Sequence, residues 1–193
     1  AARAPVRFVT LRPSAPQGGF LLPKKGPEPP KMVHVVLFPD VGGSMDPFIR
    51  VCEEMFSAAR SEFKHLEYFY FHNCPYERLW KDNKRRHVES QMTWEVLRTF
   101  GPNYKAIFIG DASMSPYEIA VPGGSVEHFN EETGAVWMKR LTDHFHRSVW
   151  LNPTPEKYWN YTRSIEMIGE VMEDRMFPLT LEGLDKAIAE LKS

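Results

Sequence analysis

The stretch Val33-His34-Val35-Val36-Leu37-Phe38-Pro39-Asp40-Val41-Gly42-Gly43-Ser44 decides how the chain is read. Val33 to Phe38 is a short apolar run rich in β-branched side chains, which reads as a buried parallel strand. It stops at Pro39-Asp40, since a proline cannot donate to a sheet ladder, and the expected strand end is Phe38. Helical spacing follows at Phe48, Cys52, Phe56, Ala59 and Phe63, opened by Pro47, a residue suited to a first helical turn.

Outward from this unit, the same alternation continues. Leu66 to Cys74 reads as a second strand, Glu77 to Lys81 as a short edge strand, and Thr93 to Phe100 as the start of a helix. Lys105 to Gly110 is a second buried apolar run, ending at Asp111. Ser115-Pro116-Tyr117-Glu118 has the spacing of a capping box, with Ser115 as cap, Pro116 at the first helical position and Glu118 reaching back. Thr133 to Phe145 places Trp137, Leu141 and Phe145 on one helical face. Ser148 to Asn152 reads as the last strand, and Thr180 caps a final helix expected to bury Leu181, Leu184, Ile188 and Leu191. Strands alternating with helices imply an α/β, doubly wound, mostly parallel sheet with helices on both faces.

Composition bounds the function. The chain has 193 residues, enough for one ordinary core. Lys and Arg total 24 against 25 for Asp and Glu, so no net basic field exists to hold nucleic acid or an anionic membrane. With 42% hydrophobic residues the chain is too apolar for general disorder. No apolar run approaches the roughly 20 residues of a membrane span. Cys52 and Cys74 are too few for a disulfide scaffold or a structural zinc site, which fits a reducing, cytoplasmic setting. Residues 1–31 form a Pro-rich N-terminal arm or linker: residues 1–30 hold 7 of the 16 prolines, around a strand-like Val6 to Leu11. The domain proper is expected over 32–193. The start at Ala1, without the apolar core of a secretion signal, reads as a trimmed piece of something longer.

In open α/β sheets, ligands bind outside the carboxyl ends of the strands. The candidates are therefore loop residues just after strands: Asp40 to Ser44, Thr93, and Gly110 to Ser113. Two carboxylates and two hydroxyls at one edge, all oxygen donors, suit a hard cation such as Mg²⁺ or Mn²⁺.

These residues resemble the von Willebrand factor A domain, within it the intracellular CoxE-like branch, over roughly Met32 to Asn152. The resemblance rests on the metal-ion-dependent adhesion site, whose pattern is D-x-S-x-S, then a distant Thr, then a distant Asp. Asp40 and Ser44 match the ends of the first motif, Thr93 the Thr, and Asp111 the Asp. In that family the hydroxyls bind the ion directly, the aspartates act through water, and a carboxylate from a protein partner completes the octahedron. The resemblance further implies a MoxR-type AAA+ ATPase as partner. The chain itself has no phosphate-binding G-x-x-x-x-G-K-[ST] loop. One position departs from the pattern: Gly42 stands where the middle serine belongs, which removes one hydroxyl ligand. Mg²⁺ keeps several waters in its sphere, so a water fills the place at a cost in affinity.

Plainer roles stand beside these. Ser44 and Asp46 are ready caps for the first helix, and Thr93 for the next. His72, with Asn73, ends the second strand and reads equally as a near-site group or a half-buried structural histidine. His144 and His146, two apart, do not share a helical face. Lys81 to His87 is a basic run near Trp80 and Tyr76, which reads as a contact for an acidic partner or RNA or, more plainly, as a solvated loop. Ser113 and Ser115 lie near Asp111, but no nucleophile elbow or adjacent histidine supports catalysis by them. A Mg²⁺-dependent phosphotransferase or hydrolase using Asp40 is the alternative function, although the Asp-x-Asp form of such loops is broken by Gly42. A scaffold with a degenerate metal site is the third.

Overall fold

Apolar strands too short to stand alone must be covered on both faces, and the structure meets this demand with five parallel strands in the order β2-β1-β5-β6-β7. A computed structural model of the chain describes residues 33–82 and 90–193. The sheet strands are β1 (Val33–Pro39), β2 (Phe63–Tyr68), β5 (Lys105–Ile109), β6 (Ser148–Asn152) and β7 (Met176–Pro178). A second small sheet pairs β3 (Arg78–Trp80) with β4 (Ser90–Met92), antiparallel. It is tied to the main sheet where Tyr70 bridges Trp80.

The central strands are buried on both sides. Val35, Val36, Leu37 and Phe38 are fully buried, as are Ala106, Ile107 and Phe108. Alternate side chains divide the core in two. Val36, Phe38, Phe108 and Trp150 join the face covered by α2 (Thr93–Thr99), α3 (Pro116–Ala120), α4 (Gly134–His144) and α5 (Arg163–Val171). Val35, Leu37, Ile107, Ile109, Val149 and Leu151 join the face covered by α1 (Ile49–Ala58) and α6 (Leu181–Lys192). On the first face Phe38 stacks on Phe108 at 4.9 Å between ring centroids, and Phe108 on Trp150 at 5.7 Å. The doubly wound α/β reading holds, and the sheet order turns between β1 and β5, the place where such sheets open a crevice.

Capping follows the local sequence. Thr133 Oγ1 accepts from Val136 N at 3.2 Å, Thr180 Oγ1 from Gly183 N at 3.0 Å, and Ser115 Oγ from Tyr117 N at 3.3 Å.

Several boundaries differ from expectation. β1 runs through Pro39, because a proline lacks only the donor: its carbonyl accepts from Phe71 N at 3.0 Å. Pro47 lies inside a 3₁₀ helix (Gly43–Phe48) that precedes α1, not at the first turn of α1. Phe63 leaves the helix and opens β2, yet its ring still packs 6.0 Å from that of Phe56. β2 is three residues earlier at its start than expected and gives way after Tyr68 to isolated bridges at Tyr70, Phe71, His72 and Cys74. Leu181 is 64% exposed, not buried, because it is the first residue of α6 and faces away from the sheet. Ser148–Asn152 is not the last strand: α5 and β7 follow it. The Pro-rich arm with Val6 to Leu11, and most of the basic run from Lys81 to His87, lie outside the described residues. Among the described residues, no helix is long and apolar enough to cross a membrane.

The corrected burial of α6 has a direct test. Leu184→Ala should cost about 2–5 kcal/mol in urea unfolding, as for other buried leucines, whereas Leu181→Ala should change stability by less than about 0.5 kcal/mol.

Candidate functional site

Pairing of β1 with β5 sets the site. Pro39 lies opposite Ile109, and Asp40 N donates to the Ile109 carbonyl at 2.7 Å. Asp40 therefore sits beside Gly110, on strands about 4.8 Å apart, and Asp111 follows one residue on. The Asp40 side chain is 5% exposed, and its Oδ1 accepts from Gly42 N at 2.8 Å and Asn73 N at 3.1 Å. Gly110 lets the two strand ends approach closely: a Cβ there would stand 3.0 Å from Asp40 Cβ, 3.3 Å from Asp40 Oδ2 and 3.2 Å from the Trp150 ring, so its neighbours would have to give by a few tenths of an ångström.

Asp111 is also buried, and its Oδ1 accepts from Ser113 N at 2.8 Å. The turn puts Ala112 at φ 54°, a left-handed conformation that costs a non-glycine residue about 1 kcal/mol. Two side chains from β6 brace the turn from beneath. The Trp150 indole N–H donates to the Gly110 carbonyl at 2.8 Å, and Asn152 Nδ2 donates to the Asp111 carbonyl at 3.0 Å.

A polar chain leads from Asp40 into the helical layer. Asn73, held at φ 58°, gives its backbone N–H to Asp40 and its side-chain amide to both oxygens of Glu118, at 3.0 and 3.1 Å. The Tyr76 hydroxyl donates to the Glu118 carbonyl at 2.8 Å, and the Thr93 hydroxyl donates to the Tyr76 carbonyl. Asp40, Asn73, Glu118, Tyr76 and Thr93 are thus wired together, although they lie far apart in sequence.

Around this site, burial is the leading influence on the groups whose titration is shifted. It pushes the Glu118 carboxyl above its usual range, opposed by the Asn73 amide and the Ser115 backbone N–H, the second being the reach back that the capping box called for. Burial also pushes the Cys74 thiol well up, reinforced by the neighbouring Glu118 and Asp40 charges. Tyr76 is raised by burial first and then by Cys74, Glu118 and Glu77. Cys52, on α1, is pushed up to about 11, again mainly by burial. Both cysteines are free thiols held in the protonated form at neutral pH.

The sequence-derived candidates divide accordingly. Asp40 and Asp111 leave adjacent strands at the turning point of the sheet. Ser44 follows on the exposed 3₁₀ helix, two residues beyond Gly42. Thr93, fully buried, opens α2, and its hydroxyl proton is committed to Tyr76, leaving the oxygen lone pairs. The capping roles expected of these residues do not form: the 3₁₀ helix, α1 and α2 start without a side-chain cap, so Ser44, Asp46 and Thr93 do not serve that role. Asp46 is exposed and borders a cavity of about 330 Å³ between α1 and the β1–β2 edge. His72 Nδ1 lies 3.2 Å from Glu127 Oε1, both side chains 13% exposed, and its Cδ2 stands 3.5 Å from the position of a Cβ at Gly42, so the residue is half-buried and beside this loop at once. The exposed Ser113 contributes its backbone N–H to Asp111. His144 turns to the Phe100 carbonyl at 2.7 Å, away from His146. Glu118 is the residue that sequence reasoning missed as part of the site. Its only local signal was the capping box.

Among the described residues, no three His, Cys, Asp or Glu side chains gather as a metal-holding group. An ion at this edge must draw on hydroxyl or amide oxygens beside the two aspartates. Gly42 leaves room for one. A Cβ at Gly42 would meet Asp40 Oδ1 at 3.4 Å, Asn73 Oδ1 at 3.5 Å and His72 Cδ2 at 3.5 Å, all ordinary contacts. Two oxygens from different elements thus face one small cradle, and the all-oxygen donor set fits a hard divalent cation. Compared with known proteins, the chain matches no family model and no curated sequence.

Ala112→Gly should leave stability within about 0.5 kcal/mol of wild type in chemical denaturation, because relief of the left-handed backbone is offset by the loss of a fully buried methyl. A raised folded-state pKa means that the ionised Glu118 carboxyl opposes folding above its ordinary range of about 4.3. The melting temperature of Glu118→Gln relative to wild type should therefore climb between pH 4 and pH 7. A constant difference would contradict the burial argument.

Proposed function

We propose that the chain is a non-enzymatic, metal-ion-dependent protein-binding module. A hard divalent cation, Mg²⁺ or Mn²⁺, sits at the edge between β1 and β5. The Ser44 and Thr93 hydroxyls bind it directly, Asp40 and Asp111 hold it through water, and a carboxylate of the partner protein takes the remaining position. The observation that supports this reading is the position of Asp40 and Asp111 just beyond the ends of adjacent strands, with the Asp40 carboxylate packed against Gly110. The resemblance of Asp40-x-Gly42-x-Ser44, Thr93 and Asp111 to the adhesion-site pattern adds to it. The same resemblance makes a MoxR-type AAA+ ATPase the proposed partner, supplying the energy this chain has no nucleotide loop to provide. A reducing cytoplasm suits the two free thiols, and the net charge of -1 suits a protein partner better than nucleic acid.

Phosphoryl transfer through Asp40 is the weaker reading. A nucleophile needs a free oxygen, but Oδ1 already accepts two backbone N–H groups and Oδ2 lies against the position that Gly110 keeps clear.

Ligand-linked stability gives the test. At an ion concentration 100 times the dissociation constant, Mg²⁺ or Mn²⁺ should stabilise the fold by about 2.7 kcal/mol, read as a rise in melting temperature that Asp111→Ala abolishes. No rise with any divalent ion favours the scaffold with a degenerate site. Phosphatase turnover that is lost in Asp40→Asn moves the assignment to the enzyme.

A further inference from the structure

We propose that the side-chain amide oxygen of Asn73 takes the place of the hydroxyl that Gly42 lacks and serves as an oxygen donor to the divalent ion. The inference rests on the metal-binding reading above and specifies its ligand set. Three features of the structure lead to it.

The first is the cradle itself. The space beside Gly42 is bounded by Asp40 Oδ1 and Asn73 Oδ1 at almost equal distances, 3.4 and 3.5 Å from the position of a Cβ. A serine at that position would bring its hydroxyl into this space, and an oxygen already borders it.

The second is orientation. The Glu118 carboxylate accepts hydrogen bonds from Asn73 Nδ2 at both oxygens, which fixes which end of the amide is nitrogen. With Nδ2 turned to Glu118, Oδ1 is the end left for the cradle. Glu118 is only 2% exposed, so the clamp is shielded from water. Glu118 is then a positioning residue, acting on the ion only through Asn73.

The third is the backbone. Asn73 stands at φ 58°, where asparagine is one of the few side-chain-bearing residues accommodated at low cost. The Cys74 N–H closes a tight turn on the His72 carbonyl at 2.6 Å, and Asn73 N is bound to Asp40. Main chain and side chain of one residue are both fixed relative to the Asp40 carboxylate. Amide carbonyl oxygens are good donors to hard cations and carry no charge, so this replacement leaves the ion its affinity for a partner carboxylate.

The experiment is a calorimetric titration of Mn²⁺ into the full chain and into Asn73→Gly, Gly42→Ser and the double variant. Glycine is used at 73 because it accepts φ 58° without strain, and metal-free melting curves check that each variant is folded. Asn73→Gly should weaken Mn²⁺ binding by about tenfold or more. Gly42→Ser alone should leave Mn²⁺ affinity near the wild-type value, because the Asn73 amide oxygen already fills that place. In the double variant the serine hydroxyl should restore affinity to near the wild-type value while leaving the lower metal-free melting temperature of Asn73→Gly unrestored. The two substitutions are then non-additive, as expected for groups that fill one role. Unchanged affinity in Asn73→Gly overturns the inference alone, as does a loss of affinity that is the same with and without Gly42→Ser. No Mn²⁺ uptake by the wild-type chain overturns the metal-binding reading and this inference together.

Discussion

A carboxylate at the end of a central parallel strand has lost most of its water and must find hydrogen-bond donors nearby. Asp40 is that carboxylate. Its first donor, Gly42 N, bends the chain directly into the 3₁₀ helix that precedes α1. A second donor, Asn73 N, is drawn from the end of the neighbouring strand and stops the β2 ladder from continuing in regular form. Its remaining oxygen lies close against the glycine at 110 on the other side. One buried charge thus dictates the shape of three loops at the turning point of the sheet.

The core below transmits rigidity to that edge. Phe38, Phe108 and Trp150 come from the three central strands and stack across the sheet, and Trp150 then turns its indole N–H upward to the Gly110 carbonyl. Asn152 does the same one position further along for Asp111 and accepts from Thr154 N at 2.8 Å. Packing and hydrogen bonding here are coupled, since the side chains that fill the core also hold the loop backbone. Ala112 stays in its left-handed conformation because groups on both sides, the Asp111 carboxylate and the Asn152 amide, over-determine the turn.

What was legible in the sequence had a local cause. β1, β5 and β6 are continuous apolar runs, and the caps Ser115, Thr133 and Thr180 sit at the spacing their helices require. The placement of Asp40 and Asp111 at one edge follows from strand ends alone. β7 was not legible, because Met176–Pro178 is too short to show a period, and α5 starts without a side-chain cap although Ile165 and Ile168 have helical spacing. The chain from Asn73 through Glu118 and Tyr76 to Thr93 was illegible for a different reason. Its members meet only after the second sheet folds back on the end of β2, and no local pattern encodes a contact between residues 45 apart. Gly42 carried the opposite hazard: the motif marks it as a loss, whereas the fold sets two side-chain oxygens beside it, from Asp40 and Asn73.

Anomalous diffraction from crystals grown with Mn²⁺ tests the central idea most directly, since it locates the ion without reference to affinity or partner. One strong peak is expected at the carboxyl edge of the sheet, bounded by Asp40, Ser44, Thr93 and Asp111. Well-ordered loops with no peak there at saturating Mn²⁺, or a peak confined to another face of the molecule, would contradict it.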